Sequence, residues 1–495
     1  MKYLGFDLGA SSGKMMLGSF DGEKIQTEIV HRFPNRQSLV SGGLYWNILD
    51  IYQNLKTGIE KVADNNEKLS LGVDSFCNDF GLLDRQGRLL NQVFCYRDER
   101  TKRNEEEIYS KVSREALYMR TGCQTALFNT VIQMAAMVEE ENAWMLEQCS
   151  HALLIPDLLI YFLTGEMCTE YTLASVSQMF NYKKQAWDIP VLDRLGIRPD
   201  IFPDVVPTGH IVGRLSKSQV PDIADRDIQV VSVCEHDTAS AIAALPTEKE
   251  HVAYISSGTW SIMGTEVPEP ILTEEAFQYN IAYEGGIDYR YRMIKNIMGL
   301  WVLQECQRDF ERKTKYECSH EFVLKEAEKA EGLKYLIDPD EDIFYMPGNM
   351  IEKVIQYCES TGQGKPETFG EVVRTVMESL AMKYRYVLDR LEKILGYSLD
   401  EVYILGGGGK NRMLDQFTAN ACRKKVYAGP DEAALAGNIL VQMRSMGDIA
   451  SLKEGRQIIK NSFTVTSFEP EENEKWENAY MKFKKMIEKS MEVSK

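Results

Sequence analysis

A glycine- and serine-rich turn joins two strand-like segments at the start of the chain, FDLGASSGK at residues 6–14. The strand pattern continues at 14–20 and returns at 25–33, with the tight turn Asp21-Gly22 between them. Three strands joined by short turns form an antiparallel meander. The amides of the first turn can point at phosphate oxygens, and Lys14 adds a cation. This stretch therefore predicts the first sheet and an anion-binding turn.

The turn does not match a P-loop, the phosphate-binding loop that many nucleotide hydrolases carry. The spacing from Gly9 to Gly13-Lys14 is one residue too short, Met15 stands where Ser or Thr would bind magnesium, and a strand follows instead of a helix. A short Gly/Ser turn considered alone is more often only a tight turn. Both interpretations stay open at this point.

A similar order of segments returns near residue 250. Strand-like runs at 252–256, 260–265 and 289–295 repeat the meander, and Ser-Ser-Gly at 256–258 stands at its first turn. Short Ser/Gly matches also arise by chance, so the echo alone is weak support for an internal duplication.

Helical periodicity connects the strands in both halves. Apolar residues recur at helical spacing across 45–62 before a strand at 71–74, and a long helical pattern covers 368–395 before a buried strand at 402–405. Helices that alternate with strands are typical of the α/β class. A final helix-like segment at 471–492 is expected to pack back onto the body of the protein.

Length and charge limit the classes of protein to which the chain can belong. Its 495 residues exceed the roughly 250–300 at which single cores stop growing, which predicts two domains. Because the order of segments starts again near residue 250, we expect these domains at 1–248 and 249–495. A net charge of −17 opposes attraction to nucleic-acid phosphates and to anionic membranes. We therefore expect neither nucleic acid nor membrane as a partner, although an anionic nucleotide can still bind through local amides and a metal.

Cysteine usage and hydropathy favour a cytoplasmic protein. The ten cysteines are scattered and form no Cys-x-x-Cys pair, which disfavours both a disulfide framework and a structural zinc site. The sequence shows no secretory signal and no apolar run of about 18 residues or more. Reduced, mostly buried thiols are the favoured interpretation.

A second glycine turn follows the buried strand at 402–405. Gly406 to Gly409 precede a probable helix at 412–422, so the backbone can approach a nucleotide closely and the helix N-terminus favours negative charge. Asn411 can either cap that helix or bond to a base or ribose. Alone, the pattern is weak, because such turns often reflect close packing.

A carboxylate lies between these two turns in the stretch CEHDTASA at 234–241. Asp237 is a candidate general base, and the structural alternatives are a helix N-cap or a buried ion pair. His236 considered alone is best explained as a hydrogen-bonded core histidine.

These motifs together resemble the FGGY family of carbohydrate kinases, and the resemblance covers most of the chain. It implies two actin-like (ribonuclease-H-like) α/β domains around a central cleft, with sugar bound mainly by the N-terminal domain and ATP mainly by the C-terminal domain. The motifs that carry it lie at 7–13, 96–101, 236–241, 257–261, 296–301, 304–306, 428–430 and 437–438.

The resemblance also implies a role for each site residue. Asp237 is the general base for the attacking sugar hydroxyl, and Asp7 supports Mg²⁺, through water because magnesium dehydrates reluctantly. The residues expected to bind ATP are Ala10, Ser11, Ser12, Gly13, Lys14, Thr259, Gln304, Gly407 and Asn411. Those expected at the sugar, besides Asp237, are Cys77, Asn78, His236, Thr238 and Asn296.

The sugar implied by the resemblance is a ketose or deoxyketose. L-rhamnulose phosphorylated at its first hydroxyl is the leading substrate, and L-fuculose and L-xylulose are alternatives because Phe76-Cys77-Asn78 departs from the family pattern beside the expected sugar. An actin-like or chaperone ATPase and a sugar-binding regulatory protein remain as other classes. The sequence does not determine the oligomeric state.

Overall fold

The computed structural model describes residues 1–62, 68–140, 142–471 and 473–493. It divides into two compact units. The first unit contains residues 1–248, 266–293 and 432–463, and the second contains 249–265, 294–431 and 464–495. The expected assignment of sugar to domain 1–248 and of ATP to domain 249–495 stays a prediction.

Short strands alternate with helices along the whole chain. The strands are β1 (Lys2–Leu8), β2 (Ser12–Phe20), β3 (Ile25–Pro34), β4 (Gln37–Val40), β5 (Gly43–Trp46), β6 (Leu69–Ser75), β7 (Phe80–Leu83), β8 (Val93–Phe94), β9 (His151–Leu154), β10 (Thr169–Glu170), β11 (Phe180–Asn181), β12 (Ala186–Trp187), β13 (Val205–Val206), β14 (His210–Arg214), β15 (Ile228–Ser232), β16 (Val252–Ser257), β17 (Trp260–Val267), β18 (Ala282–Gly285), β19 (Tyr291–Met298), β20 (Glu401–Leu405), β21 (Lys425–Ala428) and β22 (Thr466–Phe468).

The helices are α1 (Ile48–Val62), α2 (Arg100–Arg103), α3 (Glu105–Lys111), α4 (Arg114–Thr121), α5 (Thr130–Glu139), α6 (Ala143–Gln148), α7 (Ile155–Thr164), α8 (Tyr171–Val176), α9 (Ile189–Arg194), α10 (Asp237–Ala243), α11 (Glu274–Gln278), α12 (Trp301–Thr314), α13 (His320–Lys329), α14 (Met350–Ser360), α15 (Phe369–Leu395), α16 (Arg412–Cys422), α17 (Ala433–Ser445), α18 (Leu452–Ser462) and α19 (Asn473–Val493).

The first unit is built on a six-stranded sheet with the order β14-β15-β6-β1-β2-β3. Strands β1, β2 and β3 form the predicted antiparallel meander, while β6 pairs with β1 and with β15 in parallel. Helix α1 buries Ile51, Leu55 and Ile59 against this sheet. The predicted start of that helix at residue 45 is wrong, because Tyr45 and Trp46 belong to β5, which pairs with β4 and β8.

The other large sheet repeats the same pairing pattern. It contains the order β19-β17-β16-β20-β21-β22, in which β16 is antiparallel to β17 and parallel to β20. Strand β20 is parallel to β21, which is antiparallel to β22. In the first sheet, β2-β1-β6-β15-β14 follows the same succession of directions. The similarity between the two halves of the sequence therefore corresponds to a repeated sheet topology.

Two long helices of the second unit, α15 and α19, lie close to the predicted ranges 368–395 and 471–492. Thr368 and Glu371 form a capping box at the start of α15, and Gly396 ends that helix with φ of 76°. In α19, the ring of Trp476 lies 5.4 Å from that of Phe417, so this helix packs on α16. Residue 472 of the predicted terminal segment lies outside the described residues.

Within the described part of the chain, no helix is both long and apolar enough to cross a membrane. All ten cysteines are free thiols, and most of them are buried.

Candidate active site

Three aspartates and a lysine come together at one edge of the first sheet. The parallel register of β1 and β6 pairs Asp7 with Asp74, and the antiparallel register of β1 and β2 pairs Asp7 with Lys14. Residue 75, at the end of β6, bridges to residue 236, so the turn that carries Asp237 reaches the same edge. The carboxyl ends of parallel strands are where α/β sheets bind ligands.

The carboxyl groups at this edge repel one another. Burial, followed by the charge of Asp237, raises the pKa of Asp7 to about 7, although Lys14 opposes the shift. Burial and the charge of Asp7 also raise the pKa of Asp74. One oxygen of Asp74 accepts a hydrogen bond from Asn438 Nδ2 at 2.6 Å, whereas Oδ1 is buried and has no hydrogen-bond partner among the described residues. This surplus of negative charge fits a bound cation.

The described residues contain no group of three or more His, Cys, Asp or Glu side chains arranged as metal ligands. Magnesium that is held mainly by phosphate oxygens and water needs only one or two carboxylates from the protein. The donor set of Asp7 and Asp74 fits that kind of site.

Asp237 is the first residue of the short helix α10, directly at the sheet edge. The N-cap position belongs to His236, so the N-cap interpretation of Asp237 is wrong. Thr238 Oγ1 donates to Asp237 Oδ1 at 3.1 Å, and the Asp237 side chain is 32% exposed. Burial of much of the group raises its pKa to about 6, which the bond from Thr238 partly opposes. A carboxylate with this pKa is mostly ionised at neutral pH and can still take up a proton.

Close packing of α10 on α17 holds Asp237 in place. A Cβ atom added at Gly437 would lie 1.7 Å from the carbonyl oxygen of Ser240, so only glycine allows the two helices to approach this closely. Ser240 Oγ also donates to the carbonyl oxygen of Ala434 at 2.9 Å. Gly437 thus allows α17 to pack on α10, and the next residue, Asn438, donates a hydrogen bond to Asp74.

His236 lies beside Asp237 in a buried charged group that the sequence analysis missed. Its Nδ1 is 2.9 Å from Arg292 Nη2, and its Nε2 is 3.4 Å from Asp237 Oδ1. Arg292 also donates from Nη2 to Glu284 Oε2 at 2.9 Å. Burial and the Arg292 charge lower the pKa of His236 well below its usual value, so the ring is neutral. No sequence signal marked Arg292 or Glu284, because isolated charges in strand patterns normally face solvent.

Cys77 and Asn78 line the same region of the first unit. Burial, then the charges of Glu284 and Asp237, raise the pKa of Cys77. Asn78 has φ of 81° and its Nδ2 lies 2.9 Å from Cys77 Sγ. Its Oδ1 is buried and finds no hydrogen-bond partner in the part of the chain that the structure describes. Asn78 therefore holds a strained backbone conformation and an unused acceptor, a combination common at ligand sites.

The turn at 9–13 has a packing role that the sequence did not show. A Cβ atom added at Gly13 would lie 2.2 Å from the Phe33 ring, so Gly13 makes room for a core aromatic residue. Lys14 Nζ lies 2.7 Å from Glu432 Oε2, so a phosphate at this turn has to compete with that carboxylate. Binding of ATP by Ala10, Ser11, Ser12, Gly13 and Lys14 stays a prediction.

In the second unit, the expected ATP residues lie at two turns. Thr259 Oγ1 donates to Gln304 Oε1 at 3.4 Å, so these two side chains contact each other. Asn411 Oδ1 accepts from Leu414 N at 3.1 Å and caps α16, so capping is confirmed, whereas binding of a base or ribose by Asn411 stays a prediction. A Cβ atom added at Gly407 would meet no atom of the described residues within 4 Å, whereas one added at Gly408 would lie 1.9 Å from Ser257 Oγ. Asn296, expected at the sugar, lies on β19 in this unit.

Family models and relatives agree on the kind of protein. The model of the FGGY family of carbohydrate kinases, N-terminal domain, matches residues 2–244, and that of the C-terminal domain matches 253–446. The chain is 39% identical over 466 residues to a rhamnulokinase of Oceanobacillus iheyensis, covering 94% of this chain and 97% of the relative. It is 36% identical over 486 residues to a rhamnulokinase of Bacteroides thetaiotaomicron, covering 98% and 99%.

Solved structures share the fold at much lower sequence identity. A xylulose kinase from Rhodospirillum rubrum gives a TM-score of 0.81 at 15% identity, covering all of this chain and 99% of that one. Plasmodium falciparum glycerol kinase with ADP gives 0.78 at 17% identity, covering 99% and 98%. These matches confirm the expected actin-like (ribonuclease-H-like) α/β fold. The chain belongs to the FGGY family of carbohydrate kinases and is a sugar kinase.

Proposed function

We propose that the protein transfers the γ-phosphoryl group of ATP to a ketose or deoxyketose, and that L-rhamnulose, converted to L-rhamnulose 1-phosphate, is its substrate. Relatives at 35–39% identity over nearly the whole chain are rhamnulokinases, which supports this choice of sugar. The observation that carries the mechanism is the partly exposed Asp237 carboxyl, whose pKa of about 6 suits a base at neutral pH.

In this proposal Asp237 accepts the proton of the attacking sugar hydroxyl. Thr238 occupies one oxygen of the carboxylate, at 3.1 Å, and orients the group. As the hydroxyl loses its proton, its oxygen attacks the terminal phosphorus and the bond to the β-phosphate oxygen breaks, which leaves ADP. His236, Thr238, Cys77, Asn78 and Asn296 are the proposed sugar contacts.

The remaining work is positioning and charge neutralisation. Lys14 exchanges Glu432 for phosphate, and the turn at 10–13 supplies amides in the first unit. In the second unit Thr259, Gln304, Gly407 and Asn411 are the proposed nucleotide contacts. Asp7 is the proposed holder of Mg²⁺ through water, with Asp74 beside it, and the ion when bound neutralises phosphate charge.

A screen of sugars with ATP tests the proposal. ADP release is measured with L-rhamnulose, L-fuculose, L-xylulose and other ketoses, and the phosphorylated position of the best product is determined by NMR. We expect the highest kcat/KM for L-rhamnulose and a product phosphorylated at O1. A higher kcat/KM for another sugar would make that sugar the substrate and would leave the proposed phosphoryl transfer from ATP unchanged. Sugar binding without transfer would indicate a regulatory protein, and ATP hydrolysis independent of any sugar would indicate an ATPase.

A further inference from the structure

Arg292 is an entirely buried arginine on β19 that bonds to Gly285, Glu284 and His236. Its Nε donates to the carbonyl oxygen of Gly285 at 3.0 Å. Its Nη2 lies 2.9 Å from Glu284 Oε2 and 2.9 Å from His236 Nδ1. The side chain is 0% exposed, so these bonds are made without competition from water.

The contact between Arg292 and His236 determines where the histidine carries its proton. A guanidinium group has only donors, so His236 Nδ1 must be the acceptor in the 2.9 Å contact. A neutral imidazole has one donor and one acceptor. The proton of the ring is therefore on Nε2, the atom that lies 3.4 Å from Asp237 Oδ1.

Glu284 would favour the opposite arrangement if Arg292 were absent. Its Oε2 lies 3.5 Å from the same Nδ1 atom, and an ionised carboxylate can only accept. Without the arginine, Glu284 at 3.5 Å from Nδ1 and Asp237 at 3.4 Å from Nε2 would compete for the ring proton, and the exclusive Nε2 tautomer would be lost. In the molecules that carry the proton on Nδ1, Nε2 would turn a lone pair toward Asp237, where two acceptors would oppose each other.

We propose that Arg292 is a positioning residue that fixes His236 in the Nε2-protonated tautomer, so that an N–H group faces Asp237 and the sugar hydroxyl beside it. The consequence for catalysis depends on the proposed role of Asp237, whereas the tautomer itself does not. The charged groups that face the ring are Arg292, Glu284 and Asp237. Glu284 attracts the ring proton toward Nδ1, and Arg292 cancels this attraction.

The tautomer can be read directly by NMR. Long-range ¹H–¹⁵N correlation spectra of the full chain, labelled with ¹⁵N-histidine, show which ring nitrogen carries the proton, and loss of one of six histidine patterns in H236Q assigns His236. We expect Nε2 protonation in the wild type, in R292K and in E284Q, and a substantial Nδ1-protonated population in R292M. Wild-type protein with the proton on Nδ1, or R292M with an unchanged tautomer, would overturn the proposal.

R292M leaves the buried carboxylate of Glu284 unpaired and can therefore misfold. The double variant R292M/E284Q removes this charge as well and controls for misfolding. In R292M/E284Q both charges are gone, so Asp237 is the remaining carboxylate beside the ring and draws the proton back to Nε2. We expect a fall in kcat/KM of about ten- to a hundredfold in R292M and partial recovery in the double variant. A double variant that folds but keeps the Nδ1-protonated population of R292M would contradict the mechanism. If D237N keeps full activity while the tautomers behave as expected, the proposed role of Asp237 as the base fails and this inference about the tautomer stands.

Discussion

Replacing Gly13 by alanine tests whether this glycine serves packing in the first sheet. The added Cβ would lie 2.2 and 2.3 Å from two ring carbons of Phe33, a separation that real Cβ contacts essentially never show. The ring cannot easily withdraw, because Phe33 is 7% exposed and stacks on Phe6 with centroids 6.0 Å apart. It would have to move by more than about 1 Å to regain ordinary contact. Overpacking of this kind costs about 1–3 kcal/mol.

The assay is the midpoint of unfolding in urea, compared for G13A, F33L and G13A/F33L. Gly213, a strand glycine of the same unit, supplies a matched control, because a Cβ there would lie 3.8 Å from its nearest neighbour. We expect G13A to destabilise the protein by about 1–3 kcal/mol more than G213A, and F33L to remove most of that difference. Equal midpoints for G13A and G213A would refute the packing argument. So would a G13A/F33L variant that is destabilised relative to F33L as much as G13A is relative to the wild type.

Three further predictions use the charged groups of the first unit. Because the base must be ionised and the pKa of Asp237 is about 6, kcat/KM should fall as pH drops through about 6; a profile flat down to pH 5 would contradict this. E432Q should lower the KM for ATP, since Lys14 loses the carboxylate at 2.7 Å, and an unchanged KM would remove Lys14 from the phosphate site. Burial raises the pKa of Asp157 and of Glu235, so the folded state holds extra protons and stability falls as pH rises above about 4. Melting temperatures of E235Q should fall less between pH 5 and 8 than those of the wild type, and parallel curves would argue against this buried pair.

Local patterns in the sequence predicted those parts of the fold that depend on neighbouring residues. The meander at 2–33 follows from strand-like runs and turn residues, and α15 follows from its helical composition and periodicity. The β5 strand was missed because Tyr45, three residues before Ile48, also fits the helical spacing of the segment after it. Pairing with the adjacent β4 and with the distant β8 decides between the two.

The candidate site could be predicted only in part, for the same reason. The carboxylate at Asp237 stood out because its motif is contiguous. Asp74 became visible only when the parallel register placed it beside Asp7. Arg292 and Glu284 were missed because their burial depends on contacts with His236, which lies 56 residues before Arg292 in the chain.

The central claim is that Asp237 takes the proton of the sugar hydroxyl, and the direct test is single-turnover phosphoryl transfer by D237N with saturating sugar and ATP. We predict that the rate falls by about 10²–10⁴-fold, while the affinity for ATP changes by less than about twofold. A D237N enzyme that transfers phosphate within a few-fold of the wild-type rate would contradict the account.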